Sequence, residues 1–368
     1  MKNNKAAFKN LKYATDIGLD FESKLKIRVR AYFSENSISK YANTNMKVKT
    51  IFMFLLYFSP YLLAMFSVVS NPWLITLCWV FMGFGLAGIG MSVIHDANHG
   101  SYSKNKAVNY ILGRFVNVVG AYAPTWKIQH NVLHHTYTNV QHFDEDLSSA
   151  LNILRFTPND KHLFIHRFQF IYAWFFYSFM TVMWVTSKDF TQLFRYKKMG
   201  LTKLDNFTHL VLELIVSKVF YYFYMIVLPI LVLDIPWWSV LLLLLLKHMV
   251  GGFTLATVFV LAHVVPETAF PQPVDLKIEN NWAIHQLETT SNFGPKSRIF
   301  SWLIGGLNYQ IEHHLFPNIC HVHYRALSKI VKKTAEEFNI PYYCEPTFLS
   351  AIRSHTRMLK QLGNPNLI

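Results

Sequence analysis

Histidine is concentrated in three short segments of this 368-residue sequence. They are HDANH at residues 95–99, HNVLHH at 130–135 and QIEHH at 310–314. Together they hold seven of the 17 histidines, although fewer than one would fall there at the average density. The seven are His95, His99, His130, His134, His135, His313 and His314. This clustering indicates that the imidazoles act together.

The spacing within each segment lets several side chains point to one place. The two histidines of the first segment are four residues apart, so they share one face of a helix. His130 and His134 have the same spacing, with His135 on an adjacent face. The glutamine of the third segment lies three and four residues before its two histidines, so all three can converge. Neutral imidazole binds zinc, copper, iron and nickel, and seven imidazoles exceed the needs of one ion. The pattern therefore predicts two metal sites.

Other histidines fall into three classes. His263 ends the last apolar run and His95 follows the second, so helices of bilayer length would bring both to one membrane face, which makes His263 an eighth candidate ligand. Three more lie near the segments and either position ligands or serve only as structural residues, namely His285, His321 and His323. Structural roles are expected for the remaining ones considered, which are His142, His162, His166, His209 and His355.

Acidic residues beside the segments are candidates to orient the imidazoles. Metal-bound histidine usually donates its second ring N–H to a carboxylate or a carbonyl. The candidates are Asp96, Asp144, Asp146 and Glu312, although residues 144–146 could instead form a solvated acidic turn. Gln310 could bind a metal directly or hold a water molecule. No carboxylate has the Glu-x-x-His spacing of soluble di-iron bundles.

Long apolar runs must carry these segments. Hydrophobic residues make up 52% of the chain and charged residues 15%, whereas soluble domains carry about 25% charged residues. Apolar runs at 50–70, 73–94, 207–233 and 237–262, of which the first two carry no charge, predict four transmembrane helices in two hairpins. Residues 108–122 and 164–186 are predicted to be interfacial, because an even number of crossings is needed to keep all the histidines on one side. The fold class is thus an all-α integral membrane protein with a histidine-rich cytoplasmic cap.

The distribution of charge predicts how the chain is oriented across the membrane. The formal charge is +14, and eleven Lys and Arg residues lie among the first 49. Placed just before an apolar run, they favour contact with headgroups of membrane lipid and a cytoplasmic N-terminus, and no nucleic-acid binding is expected. The three cysteines form no CxxC pair, so neither a disulfide scaffold nor an iron–sulfur cluster is predicted. No cleavable signal peptide is recognised. The predicted units are a basic arm (1–48), a membrane domain (49–325) and a cytoplasmic cap (326–368).

Two polar residues interrupt the last apolar run. Lys247 and His248 would lie deep in the membrane, where a charge costs about 2.5–3.5 kcal/mol on insertion scales. They should therefore face a cavity or a partner, or Lys247 should snorkel to the interface. Their roles, like those of His285 and His321, are not determined by the sequence.

The chain resembles the membrane fatty acid desaturases. That family is marked by three histidine boxes, HxxxH, HxxHH or HxxxHH, and HxxHH or QxxHH, which match the three segments in order and placement. The resemblance covers about residues 50–325. The stretch QIEHHLFP is similar to the front-end branch, which inserts a double bond between an existing one and the carboxyl end. His263 matches a further histidine ligand of the wider family.

The resemblance implies a function. Two iron ions held by the eight histidines would use O₂ as co-substrate to desaturate a fatty acyl chain carried as acyl-CoA or acyl-lipid, and O₂ would end as water. The chain has no HPGG haem motif, so electrons are expected from a separate ferredoxin or cytochrome b5 type donor with its reductase. This suggests a bacterial protein of the inner (cell) membrane with a cytoplasmic active site.

Two other functions remain open at this point. Membrane hydroxylases and ketolases of lipids use similar boxes, and a non-enzymatic metal- or haem-binding membrane protein would also carry clustered histidines. The position of the double bond and the acyl carrier are not specified. The basic residues Lys24, Lys26, Arg28 and Arg30 could hold a coenzyme A phosphate or could serve only as an orientation signal.

Overall fold

The computed structural model describes residues 10–15, 18–147, 152–202 and 206–364. These residues are mainly helical. Strands occur among them as two short parallel pairs, β1 (Lys12–Tyr13) with β2 (Lys277–Ile278) and β3 (Ser291–Phe293) with β4 (Tyr343–Glu345). The predicted all-α class is therefore confirmed.

The helices follow one another with few long loops. Those before residue 200 are α1 Leu19–Glu35, α2 Thr44–Met65, α3 Pro72–Gly88, α4 His95–Asn98, α5 Lys106–Val118, α6 Ala123–Lys127, α7 Gln169–Tyr177, α8 Met180–Met183 and α9 Asp189–Met199. Those after it are α10 Phe207–Tyr222, α11 Leu228–Val232, α12 Trp237–His263, α13 Trp282–Thr289, α14 Arg298–Leu303, α15 Gln310–Leu315, α16 Tyr324–Glu337 and α17 Phe348–Leu362. Turns of π-helix join several of them, at Ile89–Ile94, Ile128–His134, Trp184–Lys188 and Phe223–Val227. Short 3₁₀ helices lie at Phe164–Phe168 and His321–His323.

Four continuous helices are long and apolar enough to cross a membrane. They are Thr44–Met65, Pro72–Asn98, Phe207–Val232 and Trp237–His263. The four predicted helices are confirmed as candidate spans, although the first begins six residues before residue 50 and the second continues four residues beyond residue 94. The side chain of Asn43 caps it by accepting a hydrogen bond from the backbone N–H of Met46 at 3.1 Å. Lys49, one of the eleven basic residues that precede the first apolar run in the sequence, is therefore a buried residue of α2.

A fifth apolar segment is bent. Phe164–Tyr177 and Met180–Met199 meet at 61°, as a broken span or a re-entrant loop. The bend packs on Gly252, near the middle of α12, where a Cβ atom would lie 2.5 Å from the carbonyl oxygen of Ser178. The segment continues 13 residues beyond the predicted end at residue 186. Its interfacial location, like that of residues 108–122, stays a prediction.

The polar pair inside α12 has internal partners. Lys247 is fully buried, and its Nζ donates to the hydroxyls of Tyr221 at 2.8 Å and Tyr57 at 3.3 Å. His248 contacts the hydroxyl of Thr181 at 3.1 Å. Of the two interpretations of Lys247, an internal partner is the one observed, and the side chain does not snorkel.

Helices from the two ends of the chain pack against each other. Helix α1 buries Phe21, Leu25 and Val29 in one apolar cluster with Leu327 and Val331 of α16. Residues 1–9 and 16–17 of the predicted arm lie outside the described residues. The division into arm, membrane domain and cap stays a prediction.

A glycine lets the loop before the third histidine segment pack against the backbone just before the first segment. Gly305 has a φ of 64°, and a Cβ atom on it would lie 2.3 Å from the carbonyl oxygen of Met91. Met91 belongs to the π-helical turn just before His95. The loop that leads into α15 therefore packs directly against this backbone, which only glycine permits.

Replacing this glycine tests the contact. Gly305→Ala should lower the thermal unfolding temperature of the detergent-purified protein because it adds a steric clash to an unfavourable φ. Gly200→Ala is the matched control, since Gly200 has a φ of 75° and nothing within 4 Å of the added Cβ. It should show only the dihedral penalty of about 1–2 kcal/mol. Equal losses in both variants would contradict the close packing.

Candidate metal centre

Four histidines from all three segments form a first histidine group. Its members are His95, His99, His130 and His313, and one ring nitrogen of each lies within 4.8 Å of the others. The ring centroids of His95 and His313 are 4.4 Å apart. Residues separated by more than 200 positions thus meet at one point, as the sequence predicted.

Three further histidines form a second histidine group. Ring nitrogens of His134, His263 and His314 also lie within 4.8 Å of one another. His135 lies between the groups, with its Nε2 3.3 Å from His130 Nε2 and its ring centroid 4.4 Å from that of His314. The structure therefore brings together all eight predicted ligands, in two adjacent groups.

A π-helical turn divides the second segment between the groups. Residues 128–134 form π-helix, and the N–H of His135 donates to the carbonyl of His130, five residues earlier, at 3.0 Å. In this wider turn, residues four and five positions on both lie near the first residue. His134 and His135 therefore flank His130, whereas the α-helical expectation placed His135 on an adjacent face.

Five imidazoles are held in the same way. Their Nδ1 atoms contact an oxygen: His130 with Asp146 at 3.0 Å, His134 with Asp144 at 3.0 Å, His263 with the carbonyl of Thr289 at 3.4 Å, His313 with the hydroxyl of Tyr324 at 3.3 Å and His314 with Gln286 Oε1 at 2.8 Å. This leaves each Nε2 pointing into the centre. Metal-binding histidines are oriented by such contacts.

Five of the inward nitrogens lack a protein partner among the described residues. Within the described ranges, no hydrogen-bond partner is found for Nε2 of His99, His134, His263, His313 and His314. A buried polar atom without a partner costs about 1–3 kcal/mol, and native proteins contain few of them. Five in one place are accounted for if they bind metal ions, so these residues fit a pair of nitrogen-ligated metals.

The electrostatics favour neutral imidazoles. Burial, reinforced by neighbouring imidazoles, holds the pKa of His135, His313 and His314 well below the usual value. Burial also opposes protonation of His134, but the carboxylate of Asp144 outweighs it and raises the pKa. Because metals bind the deprotonated ring nitrogen, low pKa values favour binding near neutral pH.

Glu312 and Gln310, the two candidate supporting residues of the third segment, do not orient a histidine through a direct contact as Asp144 and Asp146 do. Glu312 is fully buried, but its carboxylate accepts hydrogen bonds from Asn292 at 2.8 Å and Tyr342 at 2.9 Å. Burial raises the pKa of Glu312 to about 7. The side chain of Glu312 therefore connects α15 to Asn292 of β3 and to Tyr342, which precedes β4. It does not orient a histidine, and the expectation is corrected. Gln310 is buried in the first turn of α15, one turn before the two histidines.

Some residues near the centre were not identified from the sequence. Gln286 of α13 accepts from the hydroxyl of Thr138 at 2.9 Å as well as contacting His314. Tyr324, the first residue of α16, contacts His313. Neither lies in a histidine segment, and their sequence positions carry no signal because the contacts form only when the chain folds.

Most of the other histidines have structural partners. His285 donates to the carbonyl of Thr138 at 2.9 Å, and His323 contacts that of Tyr41 at 3.3 Å. Similar contacts to backbone or side-chain oxygens are made by His162, His166 and His355. His321 has a different set of neighbours, which are described below.

Comparison with known proteins gives a consistent picture. The family model described as fatty acid desaturase matches residues 70–346. The chain is 38% identical to an acyl-lipid (8-3)-desaturase of Physcomitrium patens over 96% of its own length and 74% of that protein. It is 37% identical to an sn-1 linoleoyl-lipid 6-desaturase of Synechocystis over 93% and 95% of the two lengths. A protein of the same description from Arthrospira platensis is 34% identical, covering 94% of each.

Removing one orienting carboxylate tests the centre. Asp144→Asn should weaken metal binding by about 10–100-fold, because His134 loses the charge that orients it and raises its ligand strength. Metal retained per chain after titration with a chelator, measured by inductively coupled plasma mass spectrometry, reports the effect. The control is Asp234→Asn, on an exposed turn between α11 and α12. Equal metal retention in the two variants would contradict the assignment.

Proposed function

Because the chain belongs to the fatty acid desaturase family, we propose that its two histidine groups hold two iron ions and that it is an O₂-dependent acyl-lipid desaturase of the front-end type. The observation that carries the metal centre is the set of buried, unpartnered Nε2 atoms aimed at two adjacent points. The QIEHHLFP stretch supports the front-end type. So does the similarity to proteins described as 6-desaturases and (8-3)-desaturases.

The chemistry needs an oxidant, because a methylene C–H has no acidic proton for a side chain to remove. Bound iron supplies redox chemistry with O₂, so that O₂, two donor electrons, two protons and two hydrogens of the acyl chain give the alkene and two waters. The protein holds the ligands in place. Asp144 and Asp146 orient His134 and His130 at 3.0 Å.

Aromatic side chains shield the centre. The ring of Trp126 lies 4.6 Å from that of His130, and the ring of Phe259 lies 4.9 Å from that of His263. Together with the burial of the eight imidazoles, these rings limit the access of water. A dry site protects the reactive centre from side reactions and strengthens its electrostatic interactions.

An apolar groove supports a membrane-borne substrate. A cavity of about 450 Å³ lies between α3, α12, α14 and the start of α17, and its lining is mainly apolar. Two of its lining residues, Phe84 and Phe253, are 46% and 40% exposed on candidate membrane spans. The groove therefore opens towards lipid, and its size is that of a small-ligand pocket. We assign it to the acyl chain.

The contacts of α1 speak against coenzyme A at the basic arm. Lys24 and Arg28 both contact Glu337 of α16, at 2.9 and 2.8 Å. Lys26 pairs with Glu22 on its own helix. Three of the four basic residues that could hold a phosphate are thus engaged within the protein, which favours acyl-lipid over acyl-CoA as the substrate.

A separate acidic protein would supply the electrons. Helix α16 exposes Arg325, Lys329, Lys332 and Lys333, and its first residue, Tyr324, contacts His313. A basic surface this close to the centre suits a negatively charged ferredoxin or cytochrome b5 type protein, because complementary charge speeds encounter. We place the centre on the cytoplasmic side of a bacterial cell membrane, since the basic residues before the first span favour that orientation.

Lipid analysis tests the activity. The chain is expressed in a host of defined lipid composition, and fatty acids are analysed by mass spectrometry with location of the double bonds. A new unsaturated acid should appear and should vanish with His313→Ala, while the control His209→Ala, an exposed residue of α10, should retain it. Oxygenated products would indicate a hydroxylase instead. Stoichiometric zinc without any lipid change would overturn the redox proposal.

Filling the groove tests the substrate assignment. Thr254→Trp places a large side chain against the groove wall on α12 and should reduce turnover about tenfold or more, because misplacing the acyl chain weakens alignment with the centre. Leu241→Trp is the control on the same helix, since Leu241 is 41% exposed and lies outside the groove. The measurement is product formed per iron-loaded enzyme in lipid vesicles. Equal turnover in the two variants would exclude the groove as the acyl site.

A further inference from the structure

We propose that Lys49 and His321 are positioning residues that act through Asp96 on His95 and so set the metal affinity of the first histidine group. This inference rests on the proposed metal centre. It concerns two residues outside the eight candidate ligands. Lys49 lies on the first candidate span and His321 on the turn before α16.

Asp96 connects His321 to His95. Its Oδ2 accepts hydrogen bonds from Nδ1 of His321 at 2.9 Å and from the backbone N–H of the same residue at 3.2 Å. Its Oδ1 faces Nδ1 of His95 across 3.7 Å. Within the described part of the chain, neither of these last two atoms has a hydrogen-bond partner. The carboxylate is thus fixed on one side and directed at a metal-group histidine on the other.

Lys49 determines which nitrogen of His321 carries the proton. Its Nζ lies 2.6 Å from Nε2 of His321 and 5.4 Å from the ring centroid of Trp302. An ammonium group can only donate hydrogen bonds, so Nε2 must accept and the ring proton must sit on Nδ1, facing Asp96. Both side chains of the pair are nearly fully buried, at 1% exposure for Lys49 and 4% for His321. The order of donation is therefore Lys49 to His321 to Asp96.

The cluster is not itself a metal site. Asp96, Cys320 and His321 offer atoms within 4.8 Å of one another, and all three residue types can bind metals. Nε2 of His321, however, is occupied by Lys49, and its Nδ1 by Asp96. The ammonium group supplies the positive charge that the buried carboxylate requires, so no ion is needed there.

His95 depends on this support more than His130 and His134 do. The histidines oriented by Asp144 and Asp146 have direct contacts at 3.0 Å, whereas the contact of His95 with Asp96 is longer, at 3.7 Å. A carboxylate that were free to rotate would not keep Oδ1 opposite His95. His321 and Lys49 hold it in the rotamer that leaves Nε2 of His95 for the metal.

The test compares two histidines of one turn. His321→Ala should weaken one of the two bound irons about 10–100-fold in chelator competition, because an orienting partner of a ligand is lost. Mössbauer spectra of the ⁵⁷Fe-loaded protein should show a changed signal for one iron and an unchanged signal for the other. His323→Ala is the matched control, since its ring contacts the carbonyl of Tyr41 and the ring of Phe33 rather than the Asp96 carboxylate. Equal iron affinity in the two variants would overturn the proposal.

Milder substitutions distinguish loss of the relay from a general loss of folding. Lys49→Met keeps an apolar chain of similar length and should alter the same iron signal, while Lys47→Met, at an exposed position of the same helix, should not. His321→Asn keeps an amide donor near the position of Nδ1 and should restore part of the affinity lost in His321→Ala. Identical spectra for Lys49→Met and Lys47→Met would refute the relay. An absence of iron from the wild-type protein would instead refute the proposed metal centre.

Discussion

Five imidazoles of the centre are buried, held by an oxygen at Nδ1 and directed into the centre at Nε2, and this constraint determines much of the surrounding structure. The oxygens that hold Nδ1 come from distant positions: two carboxylates after the second segment, the amide of Gln286, the carbonyl of Thr289 and the hydroxyl of Tyr324. Each must be anchored within about a hydrogen-bond length. Helices α13, α15 and α16 therefore pack around the histidines, and these helices cannot shift without disturbing several imidazoles at once.

The sequence predicted what depends on local spacing and missed what depends on folding. Long apolar runs located the four candidate spans, histidine spacing located seven of the eight clustered imidazoles, and the end of the last apolar run located His263. Local patterns could not locate the π-helical turn, because a helix of this kind differs from an α-helix by one hydrogen-bond step. They also could not give partners such as Gln286, which lies far along the chain. Glu312 was assigned to the centre by proximity in sequence, but its side chain faces Asn292 and Tyr342.

Buried lysines within the candidate spans find their partners inside the protein. Lys247 donates to two tyrosines, and Lys218 reaches Asp189 at 2.6 Å and the carbonyls of Gly120 and Trp184 at 2.8 and 2.7 Å. In hydrocarbon there is no water to replace such partners, so each contact fixes the depth of one segment relative to another. The charged residues that interrupt the apolar runs in the sequence thus fix the positions of the helices relative to one another. Lys49 has a similar buried contact, with His321 beside the centre.

The two histidine groups are mechanically joined. His313 and His314 are neighbours on α15 yet belong to different groups, and the π-helical turn separates His130 from His134 in the same way. An ion in one group would immobilise both elements and so arrange ligands of the other group before its own ion arrives. The entropy of ordering these ligands would be lost only once, which gives positive cooperativity between the ions. Filling of one group would thus raise the affinity of the other group for its own ion.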